Sequence, residues 1–241
     1  MLMSGHSKWS TIKHKKAIED SKRGKIFTKF GRAISIAAKE GGSGDVASNF
    51  KLRLAVEKAK QLNMPKANID RAIERGLGKA GGEGLSEAVY EGFGPHEAAV
   101  ILEVVTDNKN RTASEIKNVF EKAGGRMGQP GSVRFLFKKI GRILVASSGN
   151  SDELMLKLID LGAEDVSEAD GGIEVIVNLT QLMQEKQKIE TAGLKVTEAE
   201  LSYKALNYLT LDSLDQEKVG AFLESLDDLD DVQEIYTNLK F

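Results

Sequence analysis

The sequence predicts a multidomain α+β protein, with a basic all-helical domain at the N-terminus followed by two α/β domains, at least one of them ferredoxin-like. Apolar residues first recur with helical spacing, up to about residue 75. A glycine-rich stretch at 76–84 then separates this part from short runs rich in β-branched residues that alternate with helical patterns. The 241 residues are enough for two to three such domains.

The first clearly patterned helix is predicted from about residue 22 to Gly41-Gly42, because glycine readily takes the left-handed conformation of a helix C-cap. On a helical wheel, its apolar and basic residues occupy separate arcs of about 100° each. The apolar arc, expected to face a small core, consists of Ile26, Phe27, Phe30, Ile34 and Ala37. The basic arc, expected to face solvent, consists of Lys22, Lys25, Lys29, Arg32 and Lys39.

Two further helices are predicted, at about 49–62 and 65–75. Asn63 is expected to cap the second of them, with Pro65 in its first turn. Arg71 and Arg75 lie one turn apart and therefore share a face. On that face they either bridge neighbouring phosphates or pair with the adjacent acidic residues, Asp70 and Glu74.

The stretch GLGKAGGEG at 76–84 is interpreted as a flexible linker and the first domain boundary. It contains glycines in GxGxxG spacing. A dinucleotide-binding fingerprint must follow a strand and open a helix, whereas this stretch follows a helix. The dinucleotide interpretation is therefore rejected.

Strands at 98–106 and 131–137 flank a helix at 110–124, for which Thr112 or Asn110 is the expected cap. Residues 140–205 then contain a complete β-α-β-β-α-β pattern, which is the ferredoxin-like order. A helix at 215–229 and a strand at 232–239 would complete the preceding unit, with its missing strand assigned to 204–211. The predicted domains are 1–79, 80–139 together with 206–241, and an inserted acidic ferredoxin-like domain at 140–205.

The composition excludes several classes of site. There is no cysteine, hence no disulfide, no thiolate zinc site and no cysteine nucleophile. The three histidines are scattered, and no metal, cofactor or small-molecule substrate is expected. The N-terminus lacks the apolar run of a secretory signal, and the longest strongly apolar run, at 98–102, is too short to span a bilayer. The predicted location is the cytoplasm.

The net charge of −2 conceals a pronounced asymmetry along the chain. Residues 1–79 carry 18 Lys and Arg against 7 Asp and Glu, whereas residues 139–241 carry 9 against 21. A polyanion is attracted to the first region and repelled by the second, so a nucleic acid is the expected partner.

Basic residues are densest from His6 to Arg32, where the single tryptophan, Trp9, also lies. Most charge runs are merely solvated faces, and that alternative stays open here. The candidate nucleic-acid-binding residues are Lys8, Trp9, Lys13, His14, Lys15, Lys16, Lys22, Arg23, Lys25, Lys29, Arg32, Lys66, Arg71 and Arg75.

Several motifs together resemble the YebC family over nearly the whole chain. In order, they are SGHSKWSTIKHKKAIEDSKRGKIFTKF, NMPKANIDRAIERG, YEGFGP, TDNKNRTASEIK and GSVRFLF. Bacterial members are described as probable transcriptional regulators, and related mitochondrial proteins are translational activators of cytochrome oxidase subunit I. The resemblance implies three domains, the first helical and the others α/β. The sequence departs from the family at Pro95-His96-Glu97, where glycines are expected after the proline.

Three functions compete. The first is a DNA-binding transcriptional regulator, although no clear helix-turn-helix recognition helix is evident. The alternative is a ribosome-associated translation factor or activator that binds ribosomal RNA by shape, phosphates and stacking. The third is an enzyme, for which Ser7 with His6 and His14, or Glu87 with Glu91 and Asp107, are the available groups. Nothing in their spacing requires these groups to act together, so no catalytic residue is assigned.

Overall fold

A computed structural model describes residues 20–78, 84–147, 150–169 and 171–240. The helices in these ranges are α1 (Asp20–Gly41), α2 (Phe50–Gln61), α3 (Lys66–Gly76), α4 (Lys109–Lys122), α5 (Ser151–Asp160), α6 (Leu182–Thr191) and α7 (Ser213–Asp227). The strands are β1 (Ser86–Phe93), β2 (Ala99–Thr106), β3 (Arg126–Met127), β4 (Phe137–Val145), β5 (Asp165–Ala169), β6 (Gly172–Val177), β7 (Val196–Ala205) and β8 (Val232–Thr237). Within the described ranges, no helix is both long and apolar enough to cross a membrane.

The described residues form two compact units. One contains residues 20–134 and 212–235, and the other contains residues 135–211 and 236–240. The predicted α+β class is confirmed, since helices in the N-terminal part precede two antiparallel sheets. The exact domain boundaries at 79, 139 and 205 stay predictions.

Helices α1, α2 and α3 pack around one small apolar core. Its buried members include Ile34, Leu52, Val56 and Ile69, with Phe27 and Phe30 of α1 packed at its edge. Asn49 caps α2, because its side chain accepts a hydrogen bond from the backbone N–H of Leu52. The end of α3 lies so close to α1 that a Cβ at Gly76 would approach the carbonyl oxygen of Ser35 to 2.2 Å. Glycine is therefore the residue that this helix contact accommodates.

The turn between α2 and α3 corrects one predicted cap. Asn63 does not cap α3, because its own backbone is left-handed, with φ of 59°. The N-cap of α3 is Pro65, which makes no side-chain capping bond. Asparagine tolerates the left-handed conformation better than other non-glycine residues, so it suits this turn for a different reason.

The first sheet has the order β3-β1-β2-β8, with antiparallel pairing between β1 and β2 and between β1 and β3. Strand β1 was missing from the predicted elements, and the missing strand was wrongly sought at 204–211. In that stretch, Leu209 makes only an isolated bridge to Leu239. The residues of β1, SEAVYEGF, include glutamates and a glycine and lack a clean alternation, so their local pattern does not indicate a strand.

The second sheet has the order β5-β6-β4-β7, and all of its pairings are antiparallel. This arrangement, with α5 and α6 in the crossovers, confirms the predicted ferredoxin-like pattern. The helices cover a core that includes Ile143, Leu158, Val175 and Ile189.

The predicted strand at 131–137 is wrong, because residues 134–136 form a 3₁₀ turn and the strand begins at Phe137. The carboxylate of Glu91 explains this difference. It accepts hydrogen bonds from the backbone N–H groups of Gly131, Val133 and Arg134, at 2.9 to 3.0 Å. Backbone donors that a strand would direct to a neighbouring strand are thus directed to a side chain. Apolar residues alone gave no signal of this.

Candidate nucleic-acid interface

The buried side of α3 contains Ile69 and Ala72. Four polar residues of the helix lie outside this buried side, and we refer to them together as the outer face of α3: Lys66, Asn68, Arg71 and Arg75. Its three cationic residues are exposed. The guanidinium of Arg71 donates to the side-chain oxygen of Asn68, and its Nε donates to the carbonyl of Ala67. These local bonds leave Arg71 extended along the helix surface.

The acidic neighbours on α3 do not neutralise these arginines. Among residues 20–78 and 84–147, no ion pair joins Arg71 or Arg75 to Asp70 or Glu74, and Lys66 likewise has no carboxylate within ion-pair distance. The predicted alternative of an internally paired face is therefore wrong for the described residues. The outer face of α3 presents its positive charge to solvent.

The basic arc of α1 behaves differently from the prediction. Its residues Lys25, Lys29 and Arg32 make ion pairs with an acidic turn that follows α7, which we call the aspartate turn and define as Asp227, Asp228, Asp230 and Asp231. The expectation that this arc faces solvent is thus wrong for Lys29 and Arg32, whose side chains are only 16% and 17% exposed. The physical reason is tertiary packing, which brings the aspartate turn beside α1 although the paired residues are 198 to 203 positions apart in the chain.

The three ion pairs become less exposed to solvent from Lys25 to Arg32 along α1. Lys25 lies 3.4 Å from Asp228, and both side chains are more than half exposed. Lys29 lies 2.8 Å from a carboxylate oxygen of Asp227 and also donates to the main-chain oxygen of that residue. Arg32 binds Asp231, whose side chain is 3% exposed. The contact is therefore open to water at one end and buried at the other.

Asp231 is the buried anchor of this contact. One carboxylate oxygen binds Arg32, and the other accepts hydrogen bonds from Arg111 and from the hydroxyl of Thr112. Burial opposes ionisation of Asp231, but the hydrogen bonds from Thr112, Thr106 and Arg111, together with the charge of Arg32, outweigh it and lower the pKa of this carboxyl. Asp231 is thus held as an anion.

Thr112 therefore contributes to this anchor, and it is not a helix cap. It is buried within α4, whose N-cap is Asn108, so both predicted caps, Thr112 and Asn110, are wrong. The side chain of Asn108 accepts from the backbone N–H of Arg111. The motif TDNKNRTASEIK at 106–117 thus supplies both the N-cap of α4 and three hydrogen-bond partners of Asp231: Thr106, Arg111 and Thr112. The role of Asp231 and its partners was not predicted from the sequence, although the acidic run at 226–231 was a visible signal.

The remaining members of the basic arc and of the candidate set are located as follows. Lys39 donates to the backbone oxygen of Leu85. Lys22 and Arg23 lie within α1. Lys8, Trp9, Lys13, His14, Lys15 and Lys16 lie outside the described residues.

The ferredoxin-like sheet carries its own charged cluster. Arg142 of β4 is 2% exposed and binds Glu174 at 2.5 Å, Glu198 at 2.8 Å and Glu200 at 3.1 Å. Burial lowers the pKa of Arg142, but the surrounding carboxylates outweigh it and raise that pKa above its ordinary value. Three carboxylates thus surround the buried guanidinium of Arg142, and this cation is held in an internal ion-pair network.

The groups considered for catalysis are held in structural roles where they are described. Glu91 is 3% exposed, and burial opposes its ionisation, but its three backbone hydrogen bonds outweigh this and lower its pKa. Asp107 pairs with Arg111 at 2.7 Å. In the described ranges, no group of three or more His, Asp or Glu residues is arranged to hold a metal.

The unusual PHE turn follows from its backbone. His96 and Glu97 are both left-handed, with φ of 56° and 60°, a region that favours glycine. This accounts for the expectation of glycines at these positions. In this chain, Glu97 makes two 2.6 Å bonds to Arg126, and His96 lies 3.3 Å from Asp215. His96 is a turn residue.

Comparison with known proteins decides the family. A family model for the TACO1/YebC protein N-terminal domain matches residues 7–79, and one for the TACO1/YebC second and third domain matches residues 85–239. The chain belongs to the TACO1/YebC family. A "Probable transcriptional regulatory protein" of Caldanaerobacter subterraneus subsp. tengcongensis is 47% identical over 99% of this chain and 98% of its own length.

Other TACO1/YebC relatives extend over similar lengths. A protein of the same printed name from Burkholderia multivorans is 47% identical, covering 98% of both chains. The crystal structure of a conserved hypothetical protein from Aquifex aeolicus matches with a TM-score of 0.86 and 38% identity, covering 96% of each chain. The α+β architecture is therefore shared with a solved structure.

Proposed function

We propose that this TACO1/YebC protein is a nucleic-acid-binding regulator of gene expression that contacts phosphates through its N-terminal helical part. The observation that carries the proposal is the outer face of α3, where exposed Lys66, Arg71 and Arg75 have no carboxylate partner among the described residues. Cations that are not neutralised internally are available to a polyanion. The basic stretch at 6–19 adds further positive charge to the N-terminal part of the chain.

A DNA-binding transcriptional regulator is the first form of this proposal. Helices α2 and α3 are joined by only four residues, 62–65, as in helix-turn-helix motifs. Asn68, Arg71 and Arg75 follow at spacings that place them along one side of α3. Arginine and asparagine are the side chains that best read guanine and adenine in the major groove. The printed names of the bacterial relatives support a role in transcription.

A translation factor that binds ribosomal RNA is the second form. It is favoured by Asp70 and Glu74, which are exposed on α3 between the same cations. Acidic residues in this position weaken insertion of the helix into a groove lined by phosphates, but they are compatible with a few point contacts on a structured RNA. A cytoplasmic location is proposed for either form.

Crosslinking in cells separates the two forms. The tagged full-length protein is crosslinked, purified under denaturing conditions, and its bound nucleic acid is sequenced. A small set of genomic promoters supports transcription, and ribosomal RNA supports translation. Recovery of no nucleic acid above an untagged control contradicts the proposed function.

A matched pair of variants tests the assigned surface. Replacing Lys66, Arg71 and Arg75 by alanine should flatten the dependence of log affinity on log salt by up to about three units on duplex DNA, or about two on single strands. The control replaces Lys138, Lys157 and Lys195, three exposed lysines of the ferredoxin-like sheet and its helices, and changes the net charge equally. Equal salt slopes for the two variants would show that the outer face of α3 makes no phosphate contact.

A further inference from the structure

The aspartate turn occupies cations that the sequence would assign to nucleic acid. Both side-chain bonds of Lys29 go to Asp227, and Lys25 is directed at Asp228. A lysine ammonium is a compact point charge that binds carboxylate and phosphate in the same manner. While these pairs are formed, the two lysines cannot release counterions from a nucleic acid backbone.

The turn is also an unfavourable place for acidic side chains when considered alone. Asp227 is the last residue of α7 and Asp228 its C-cap, where the helix dipole disfavours negative charge. Asp230 and Asp231 follow immediately and add like charge. The aspartates therefore depend on the cations of α1, and a competing polyanion would restore their mutual repulsion.

We propose that Asp227 and Asp228 form an autoinhibitory contact that competes with nucleic acid phosphates for Lys25 and Lys29 of α1. This inference rests on the proposed function, since it concerns the regulation of nucleic acid binding by the same helical part of the chain. The buried Arg32–Asp231 pair keeps the turn attached, while the two outer pairs exchange between carboxylate and phosphate. A nucleic acid therefore reaches Lys25 and Lys29 only when its phosphates displace the two carboxylates. A weakly held or isolated phosphate does not displace them.

The graded exposure of the pairs supports exchange at the outer end. An ion pair as exposed as Lys25–Asp228 favours the closed arrangement only a few-fold. Lys29–Asp227 is less exposed and should favour it more strongly. Opening these two pairs leaves the core of α1, α2 and α3 untouched, because neither Lys25 nor Lys29 is among its members.

The test uses the full-length protein carrying Asp227→Asn and Asp228→Asn. Asparagine keeps the shape of the turn and removes its two charges. The control carries Glu217→Gln and Asp230→Asn, which alter α7 and the same turn by the same charge, at residues with no ion-pair partner among those described. The probes are a 30-base-pair duplex DNA and a structured RNA hairpin, titrated at several salt concentrations.

The aspartate variant should bind about two- to tenfold more tightly than the control variant. Its salt slope should be steeper by up to about two units on duplex DNA, since two more phosphates can be neutralised. Binding by the aspartate variant alone, with no binding by the wild type, also supports the inference. Equal affinity and slope for the two variants would overturn it while leaving the proposed function intact. Failure of every protein to bind either probe would overturn both.

A second measurement does not require a nucleic acid. Lys29 is labelled with an acetylating reagent in the free protein and quantified by mass spectrometry, with Lys66 as an internal exposed reference. Lys29 should react more slowly in the wild type and in the control than in the aspartate variant. Equal labelling in all three would show that the pair is not closed in solution, and the inference would fail.

Discussion

Helices α1 and α3 belong to the same helical part, and both carry several cations, but these cations differ in whether they have acidic partners. On α1, Lys25, Lys29 and Arg32 are paired with the aspartate turn. On α3, Lys66, Arg71 and Arg75 have no acidic partner among the described residues. The difference teaches that a basic helical arc defines a candidate interface only after its internal partners are known. Charge density by itself does not distinguish cations that have internal partners from cations that have none.

The largest expected difference between the two helices is in stability. Replacing Lys25, Lys29 and Arg32 by alanine should lower the free energy of unfolding of the helical part by about 3 kcal/mol, because three ion pairs are lost and the buried carboxylate of Asp231 keeps only one of its two cationic partners, Arg111. Replacing Lys66, Arg71 and Arg75 should change it by less than about 0.5 kcal/mol, since those side chains are exposed. Urea unfolding, with hydrogen exchange resolved to α1, measures both. If both triple variants lose the same free energy of unfolding, the cations of α1 and α3 do not differ in their contribution to stability.

A dependence on pH should follow from Asp231. Its pKa is lowered in the folded protein, so its ionised form contributes stability above the unfolded pKa of about 3.9. That contribution is lost as the pH falls through the folded pKa. The wild type should therefore exceed Asp231→Asn by about 2 kcal/mol at pH 7, and the gap should narrow below about pH 4. The Lys66→Ala variant provides the control, and its difference from wild type should not change over this range. A gap for Asp231→Asn that is constant from pH 3 to pH 7 would contradict an ionised anchor.

A smaller loss is expected for Lys29→Ala. Its side chain is 16% exposed and donates to both the carboxylate and the main-chain oxygen of Asp227. Its removal should cost about 1 kcal/mol. Lys29→Gln tests the role of charge, and should recover part of the loss if hydrogen bonding dominates. If the loss in the free energy of unfolding is smaller than the experimental error, Lys29 contributes no more to stability than an exposed residue does.

The smallest effect is expected for Lys25→Ala, at less than about 0.5 kcal/mol. Lys25 and Asp228 are 52% and 72% exposed, so water screens their attraction. Raising the salt concentration to about 1 M shortens the screening length to about 3 Å and should remove the remaining difference from wild type. If Lys25→Ala lowers the free energy of unfolding as much as Lys29→Ala does, the strength of the ion pairs does not increase along α1.

Local patterns predicted much of the fold because the forces involved act over a few residues. The apolar arc of α1 packs on the predicted core, and α2 and α3 form close to their predicted bounds of 49–62 and 65–75. The ferredoxin-like order at 140–205 was also predicted, since each of its strands and helices has its own period. Strand β1 and the turn at 131–136 were not. Glu91 determines that turn because its carboxylate accepts hydrogen bonds from residues about forty positions away in the chain. A pattern read over a few neighbouring residues cannot include both partners.

The sequence by itself determined the α+β class and the location of positive charge in the first third of the chain. It also determined that this basic part is helical. Only the tertiary structure decided which of those cations have internal partners. Lys29 and Asp227 are separated by 198 positions in the chain. Their contact depends on where α7 ends relative to α1, which is set by the packing of whole elements and has no local signature. Electrostatic attraction acts between neighbours in space, and for this protein only the folded chain shows which charges are neighbours.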